Sequence, residues 1–424
     1  MMPDTLQGRV EALLPGGEAL VRLTDGVMLA ANGVPGDRVE IQSAERRRGA
    51  PRGNIVGLLE ASRMRVKADC AVATDCGGCA LQSVELEAQA EIKSDWVFKA
   101  FKTFMHDNSE WMPVQGAPFF GMRRRARWHR SEDKNGVFLG FRARSSHRVV
   151  RSETCLVVHP DMDALRLRIE SLVPSFVESV RMTRLFDGMH VVFEAGEGCE
   201  ILPDAFTPCL DAMADVTLPI QPWLRADVVL RPLRKPVHIL HDRLPAGEAW
   251  VELAVGPVDF VQGHAAGNEQ ILRQIQIWAG EPRRIADLFC GIGNLSLPLA
   301  LACGAEVYGA DMAESSTRQA RSNARALGVK AKFEALNLFG KMNTEHYAGA
   351  DVLLLDPPRK GARAVCKAMG GLLPEKIIMV NCDIAAGARD AELLAAHGYR
   401  LHALRALDIF PFSGHVEAMS CWAR

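Results

Sequence analysis

Cys382 follows the apolar run KIIMV in the segment KIIMVNCDIAA, residues 376–386. A thiolate is a strong nucleophile that can divide one difficult reaction into easier covalent steps. A free cysteine can also serve as a small core hydrophobe, and this segment alone favours that interpretation. A chemical role requires other reactive groups around the thiol, and two further segments supply candidates.

The segment IADLFCGIGNLSLPLA, residues 285–300, has the pattern of a strand, a turn and a helix. Gly291 and Gly293 allow a tight turn and the close approach of a ligand. The third glycine of a dinucleotide fingerprint is missing, so a plain structural turn remains an alternative. Asp311 ends the next predicted strand, where an acid can accept hydrogen bonds from ribose hydroxyls. Turn and acid together predict a nucleoside-containing ligand.

The segment DVLLLDPPRKG, residues 351–361, carries a second acid at the end of an apolar run. A strand here would deliver Asp356 to the edge where open α/β sheets bind ligands. The two prolines that follow stiffen the loop and remove two amide donors. A capping aspartate in a rigid loop is the alternative, but a carboxylate displayed beside a nucleoside pocket is the more specific interpretation.

The segment CAVATDCGGC places Cys70, Cys76 and Cys79 close together, with two glycines between the last pair. The next cysteine, Cys155, lies far downstream. Three clustered thiols and one distant thiol favour a [4Fe-4S] cluster, which takes four cysteinate ligands. Zinc remains an alternative. Because the cysteines lie far in sequence from the other motifs, we expect this centre to have a structural role or to help dock the substrate.

Residues 121–151 contain nine arginines and one lysine but only two acids. Aromatic residues, including Trp128 and Phe138, lie among these cations. This composition predicts a surface that contacts phosphates and stacks on bases. A solvated basic sheet face is the alternative.

The repeating order of elements near the C-terminus is strand, helix, strand, which predicts an α/β fold with a mainly parallel, doubly wound sheet. Residues 5–60 show short strands between turn residues, a pattern typical of a small β-barrel. The stretch between is mixed and strand-rich. We therefore predict three domains, at residues 1–60, 61–255 and 256–424.

The whole chain has 424 residues, 48% of them apolar, and a formal net charge of −1, so overall charge indicates no polyanionic partner. We expect no transmembrane helix, because no apolar run reaches about 18 residues. No secretory signal is recognisable, and eleven cysteines then point to metal or thiol chemistry in the reducing cytoplasm.

The motifs DLFCGIGN and LLLDPPRKG, the cysteine after the next strand, and FPFSGHVEAM together resemble the S-adenosylmethionine-dependent RNA uracil-5-methyltransferase family. The resemblance spans nearly the whole chain. It implies a Rossmann-like class I methyltransferase domain, a TRAM-like RNA-binding barrel, S-adenosyl-L-methionine as methyl donor, and a flipped-out uridine in structured RNA. Among the members that combine barrel and cluster, it favours ribosomal over transfer RNA, and a monomer.

The resemblance also assigns roles. It implies Cys382 as the nucleophile that attacks carbon 6 of uracil, Glu417 as the base, and Asp356 between cofactor and uracil. It places Cys155 as the fourth cluster ligand. The residues expected at the cofactor are Gln262, Phe289, Gly291, Gly293, Asn294, Asp311, Asn337 and Asp356.

The chain departs from the family pattern at the nucleophile. The family usually reads Ser-Cys-Asn-Pro, whereas this chain reads Asn-Cys-Asp-Ile at residues 381–384. An acid beside the thiol would disfavour the thiolate. Two other classes remain alternatives. A DNA cytosine methyltransferase lacks support because its Pro-Cys motif is absent, and a non-catalytic RNA-binding protein would not need both Cys382 and Glu417.

Overall fold

The computed structural model describes residues 5–43, 50–115, 120–340, 348–369 and 374–424. The first strands close into a barrel with the order β1-β2-β3-β5-β4. Alternate apolar side chains such as Val10, Val21 and Ile41 fill its interior, as expected for a small closed sheet. The predicted barrel is confirmed. Its strands are β1 (Thr5–Leu13), β2 (Ala19–Leu23), β3 (Gly26–Ala30), β4 (Arg38–Ser43) and β5 (Arg52–Glu60).

Helix α1 (Leu86–Phe101), a short 3₁₀ helix (Lys102–Phe104) and strand β6 (Glu110–Met112) follow the barrel. The buried face of α1 carries Trp96, Val97 and Phe101, but also two polar residues, Gln89 and Lys93. These two lie four positions apart and therefore on one face of the helix. Strand β6 joins the edge of the C-terminal sheet.

The middle of the chain forms a seven-stranded sheet in the order β13-β12-β11-β10-β7-β8-β9. Helices α2 and α3 contribute to its apolar core around Phe193 and Phe206. The elements are β7 (Arg125–Asp133), β8 (Gly136–Arg142), β9 (Val149–Val150), α2 (Pro160–Ile169), a 3₁₀ helix (Glu170–Leu172), β10 (Val177–Arg184), β11 (Met189–Ala195), a 3₁₀ helix (Pro203–Phe206), α3 (Thr207–Ala214), β12 (Ile220–Ala226) and β13 (Val229–Pro232).

A hairpin and helix α4 lead into the C-terminal α/β region. These elements are β14 (His241–Ala246), β15 (Ala249–Ala254) and α4 (Ala265–Ala279). The region itself comprises β16 (Arg284–Leu288), α5 (Ser296–Cys303), β17 (Glu306–Asp311), α6 (Glu314–Leu327), β18 (Ala331–Ala335), β19 (Val352–Leu355), α7 (Arg363–Lys367), β20 (Lys376–Asn381), α8 (Ile384–Ala396), β21 (Arg400–Leu407) and β22 (Glu417–Ala423).

The C-terminal strands form an eight-stranded sheet in the order β18-β17-β16-β19-β20-β22-β21-β6. The first five of these strands run parallel, which is the predicted Rossmann-like arrangement. Strand β22 is antiparallel to both β20 and β21, between which it lies. Continuous burial of β19 fits a strand covered on both faces.

The predicted domain limits at residues 60/61 and 255/256 stay predictions. Helix α1 and strand β6, which the sequence placed in the central domain, pack with the C-terminal sheet, where α1 contacts α8 and β21. The described residues contain no helix that combines the length and apolarity needed to cross a bilayer.

Candidate active site

A cavity of about 460 Å³ opens at the carboxyl ends of the parallel strands. Its volume lies within the range of small-molecule binding sites. The three predicted catalytic residues, Asp356, Cys382 and Glu417, all line it. Among the residues expected at the cofactor, Gln262, Phe289, Gly291 and Asp311 line it as well. The strand-end motifs thus meet in one place.

Strand pairing sets Cys382 opposite Glu417. Asn381, the last residue of β20, is paired with Ala418 of the antiparallel β22. Cys382 follows Asn381 and Glu417 precedes Ala418, so the two side chains occupy the next facing position. Facing residues in an antiparallel pair have Cβ atoms about 4.5–5.5 Å apart. The sheet therefore places a thiol and a carboxyl on the same side of the cavity.

The turn after β16 is held in a strained conformation. Phe289 has φ +71°, a left-handed value that non-glycine residues rarely adopt, and strain of this kind gathers at functional sites. Its backbone N–H donates to the Ala310 carbonyl at 2.8 Å. Gly291, at φ +52°, donates its N–H to an Asp311 carboxylate oxygen at 3.0 Å. This hydrogen bond ties the glycine turn to Asp311, the last residue of β17.

Gln262 connects the cavity to the central sheet. The Gln262 side-chain amide donates to a carboxylate oxygen of Asp356 at 3.1 Å. The Gln262 backbone carbonyl accepts a hydrogen bond from Arg124 Nε at 2.8 Å. The Arg124 guanidinium also forms a bidentate pair with Asp242, at 2.6 and 2.9 Å. Both partners of this pair are buried, so Arg124 is a fixed anchor for the segment that carries Gln262.

Three predicted cofactor residues do not line the main cavity. Asn294 lines a small adjoining cavity that shares Gln262, Phe289 and Asp356 with it, and its amide exchanges hydrogen bonds of 2.9 and 3.0 Å with Asn268. Asn337 accepts a hydrogen bond from the backbone of Phe339 at 3.0 Å. Gly293 shapes the turn with φ +87°.

The titratable groups of the cavity are shifted toward their neutral forms. Burial, with a contribution from the Asp356 charge, raises the pKa of Glu417 to about 8. Burial also raises the pKa of Asp356 to about 7. Burial and the charges of Glu417 and Asp356 raise the pKa of Cys382 to about 12. The Oε2 atom of Glu417 is buried without a hydrogen-bond partner among the described residues, as expected for a group that faces a substrate.

Arg359 is the cation that opposes these shifts, because its charge lowers the pKa of both Cys382 and Glu417. One of its guanidinium nitrogens lies 3.3 Å from His415 Nε2, and both residues line the cavity. Arg359 was not predicted from the sequence, although it lies three residues after Asp356. Three apolar lining residues belong to no motif and were not predicted either: Met312, Leu338 and Phe339.

The expected effect of Asp383 on the thiol stays a prediction, and the structure gives this acid a second role. Its carboxylate caps helix α8 by accepting the N–H of Ala386 at 2.8 Å. The neighbouring acids that raise the pKa of Cys382 are Glu417 and Asp356. The departure from the family pattern thus exchanges one N-cap residue for another, and places Ile384 at the first helical position where proline is also favoured.

The four predicted metal-ligating cysteines lie close enough for their charges to interact. Burial raises the pKa of Cys76 most, and charges at Cys155 and Cys70 add to the shift. The same holds for Cys79, whose pKa of about 11 reflects burial first and charges at Cys155 and Cys76 in addition. No group of three or more potential ligands within the described ranges has the spacing of a metal-ion site.

Parts of the basic stretch are not the surface that its composition predicted. Arg124 is buried in its pair with Asp242, so it is not placed for phosphate contact. Trp128 and Phe138 are 1% and 3% exposed and are unable to stack on bases. Arg127 is exposed but pairs with Glu194. These residues are clustered in the sequence. In the fold they are buried or paired, because their partners come from distant segments.

Comparison with known proteins identifies relatives over the whole chain. A family described as a methyltransferase domain matches residues 281–389. The chain is 31% identical to a protein of Pseudomonas aeruginosa PAO1 named 23S rRNA (uracil(1939)-C(5))-methyltransferase RlmD, over 97% of this chain and 92% of the relative. It is 33% identical to the protein of the same name from Cupriavidus necator H16, over 94% of each.

A solved structure shares the fold. The tRNA (uracil-54, C5)-methyltransferase of Pyrococcus abyssi, in complex with S-adenosyl-L-homocysteine, aligns with a TM-score of 0.76 over 99% of both chains at 22% identity. The match covers nearly the whole chain, so the two proteins share their fold from the barrel to the last strand.

Proposed function

The chain belongs to the RNA uracil-C5-methyltransferase family, and we propose that it methylates carbon 5 of one uridine in 23S ribosomal RNA through a covalent adduct on Cys382. The observation that carries this proposal is the convergence of Cys382, Glu417 and Asp356 in one cavity at the sheet edge. The names of the relatives at 31% and 33% identity support the ribosomal substrate.

The chemistry follows from the reactivity of uracil. Carbon 5 is a poor nucleophile, so Cys382 first adds as the thiolate to carbon 6, which makes carbon 5 part of an enolate. Carbon 5 then takes the methyl group and still carries its hydrogen. Glu417 removes that hydrogen as a proton, and the electron pair expels the Cys382 thiolate from carbon 6. The double bond returns and the enzyme is released.

S-adenosylmethionine supplies an electrophilic methyl group on a sulfonium sulfur. Asp311 is placed to accept hydrogen bonds from ribose hydroxyls, because its carboxylate lies at the end of β17 beside the glycine turn. Gln262 and Asp356 both line the cavity and are joined by a hydrogen bond, and Asp356 would lie between the cofactor and the uracil. Phe289, Leu338 and Phe339 provide apolar surface for adenine.

Thiolate formation requires positive charge, since burial holds the pKa of Cys382 near 12. Arg359 supplies it and also favours the ionised form of Glu417. The uridine must leave its stack to reach a thiol at the floor of a cavity, so we propose a flipped-out base. We also propose that the barrel and the exposed cations of residues 121–151 hold the surrounding RNA, and that the enzyme acts as a monomer.

We further propose that Cys70, Cys76, Cys79 and Cys155 hold a [4Fe-4S] cluster. The charge interactions among the four thiols support it, as does the backbone N–H of Gly78 directed at Cys76 Sγ at 3.5 Å. Three clustered thiols and one distant thiol suit the four cysteinate ligands of such a cluster. Metal analysis and the absorbance spectrum of anaerobically purified protein test this, and thiol-bound zinc without iron would contradict it.

The substrate is tested with RNA from a strain that lacks the gene for this protein. Purified enzyme and S-adenosylmethionine are added separately to ribosomal and transfer RNA, and 5-methyluridine is mapped by mass spectrometry. We expect one new site in 23S rRNA and none with the Cys382→Ala control. Modification of transfer RNA alone would show that the substrate is transfer RNA and not 23S rRNA. Modification of neither RNA would contradict the proposal.

A further inference from the structure

The loop of residues 408–416, between β21 and β22, forms part of the cavity wall and leads into Glu417. Phe410 and His415 of this loop line the cavity. Within the loop, Phe412 adopts φ +61°, a left-handed conformation that costs a non-glycine residue roughly 1–3 kcal/mol and persists only where the surroundings impose it. The groups that impose it come from the opposite end of the sequence.

Both backbone groups of Phe412 are bonded to residues near the start of α1. The Leu81 N–H donates to the Phe412 carbonyl at 2.7 Å, and the Phe412 N–H donates to Gln89 Oε1 at 3.2 Å. Gln89 is itself fixed, because its Nε2 donates to the carbonyls of Leu81 and Val84 at 3.1 and 2.8 Å. Gln89 is only 2% exposed, so these bonds are protected from water.

Lys93, one turn further along α1, binds the start of the same loop. Its Nζ atom donates to Asp408 Oδ2 at 2.7 Å and to the Phe410 carbonyl at 3.1 Å. The Lys93 side chain is 0% exposed and that of Asp408 5%. Loss of either partner would leave an unpaired buried charge, so the pair ties α1 to the start of the loop.

The barrel supports the far end of the loop. The Gly16 N–H donates to the Gly414 carbonyl at 2.8 Å. A Cβ atom on Gly414 would lie 2.2 Å from the Gly16 carbonyl carbon, so only glycine permits this approach. The loop is thus held at three points by residues 16–93.

We infer that Gln89 and Lys93 are positioning residues that hold the loop so that Glu417 reaches the proton on carbon 5 of the adduct. This inference rests on the proposed function. Cys382 is held from the other side, because β20 pairs with β19 and Asp383 caps α8, so thiol attack does not depend on the loop. Gln262, Phe289 and Asp311 are also held by other elements, so cofactor binding does not depend on it either.

The test is the fate of the covalent adduct. Gln89→Met keeps the side-chain volume but removes the bond to Phe412, and Lys93→Met with Asp408→Asn removes both charges of the pair. With target RNA and S-adenosylmethionine, we expect each variant to accumulate a protein–RNA conjugate stable to denaturing gels although Glu417 is intact. Turnover should fall about tenfold or more, while the Kd for S-adenosylhomocysteine stays unchanged.

Trp96→Phe is the matched control, because it removes another buried hydrogen bond of α1, from Trp96 Nε1 to the Leu13 carbonyl at 2.7 Å. We expect a comparable loss of stability but no conjugate. If Gln89→Met does not fold, the double variant decides in the same assay. Variants that lose turnover without trapping RNA would overturn the inference. A Glu417→Gln enzyme that never forms a conjugate would overturn the proposed function instead.

Discussion

Buried charged groups are arranged in opposite ways in two regions of the molecule. At the sheet-edge cavity, Asp356 and Glu417 have no cationic side chain bonded to them among the described residues, and both have raised pKa values. At the junction with the central sheet, buried Arg124 is fully paired with Asp242. In the core of the central sheet, buried Arg166 bonds Asp163 and Glu170.

The difference separates groups that await a ligand from groups that maintain the fold. A buried acid without a cation is kept neutral by its surroundings and gains a partner only when substrate binds. A buried pair has already satisfied its charges within the chain, and removal of one member leaves the other unpaired. Substitutions in the cavity should therefore change the reaction, whereas substitutions in the Arg124 and Arg166 pairs should change stability first.

The largest effect is expected in the cavity. Cys382→Ala should bind RNA and cofactor but form no adduct, and methylation should fall below detection. Glu417→Gln should form the methylated adduct and retain it, because the proton on carbon 5 is not removed. Gel analysis with and without S-adenosylmethionine distinguishes the two. Normal turnover by Glu417→Gln, or methylation by Cys382→Ala, would refute the assigned mechanism.

Breaking the Arg124–Asp242 pair should reduce the stability of the fold, in contrast to the cavity substitutions, which should change the reaction. Asp242→Leu leaves a buried guanidinium unpaired and should cost about 3–5 kcal/mol of unfolding free energy. Arg124→Met combined with Asp242→Leu should recover most of that loss. Cofactor affinity should still fall in the double variant, since Gln262 loses its support at the carbonyl. Urea unfolding and calorimetric titration measure both quantities, and equal stability of the single and double variants would contradict the comparison.

The unpaired acids should also make stability depend on pH. Folded Glu417 keeps its proton to about pH 8, whereas an unfolded glutamate releases it near 4.5. The folded state binds more protons between these values, so this contribution is fully present below about pH 4.5 and is lost as the pH rises through about 8. Glu417→Gln should flatten this decline in denaturant midpoints, and an unchanged slope would show that the carboxyl is not buried as described.

Exposed cations of the basic stretch should act on RNA alone. Arg142 lies exposed at the end of β8. Arg142→Ala should lower the slope of log affinity against log salt by about 0.7–0.9 without a change in cofactor affinity. Arg168→Ala is the control, because Arg168 is exposed on α2 but pairs with Asp215. Equal slopes for wild type and Arg142→Ala would exclude a phosphate contact at this position.

The smallest effect is expected at the helix cap beside the nucleophile. Asp383→Asn restores the family residue and can still cap α8, so it should cost only about 0.3–1 kcal/mol through the lost charge at the helix N-terminus. Adduct formation should be unchanged. A tenfold change in the rate of adduct formation, measured by single turnover, would show that Asp383 acts on Cys382 after all.

Sequence patterns predicted the cavity because parallel strands deliver their ends to one edge. Phe289, Asp356 and Cys382 each follow a short apolar run, and topology alone brings them together. Glu417 was predicted only through the family resemblance. It begins the antiparallel strand β22, and no local sequence signal shows that this strand lies between β20 and β21. The burial of Arg124 and Trp128 was not predictable, since it depends on partners far away in sequence.

The contacts of Gln89 and Lys93 show the same limit more sharply. Their partners in the loop lie 315 and more positions away, and nothing local marks a buried lysine as an anchor. The cysteine segment likewise seemed remote from the catalytic motifs, yet Leu81, two residues after Cys79, bonds the loop that leads to Glu417. Sequence separation was a poor guide to distance in both cases.

The position of β22 has a consequence for how the enzyme folds. Strands β20 and β21 precede it in the chain but lie on either side of it. They cannot pair with each other on the way to the native sheet, so both keep open edges until β22 inserts between them. Open edges invite pairing with other chains, and non-local closure is slow. A chain cleaved within residues 408–416 would therefore be prone to aggregate and would lack a properly held Glu417. The step that completes the sheet also brings Glu417, the proposed base, to the cavity.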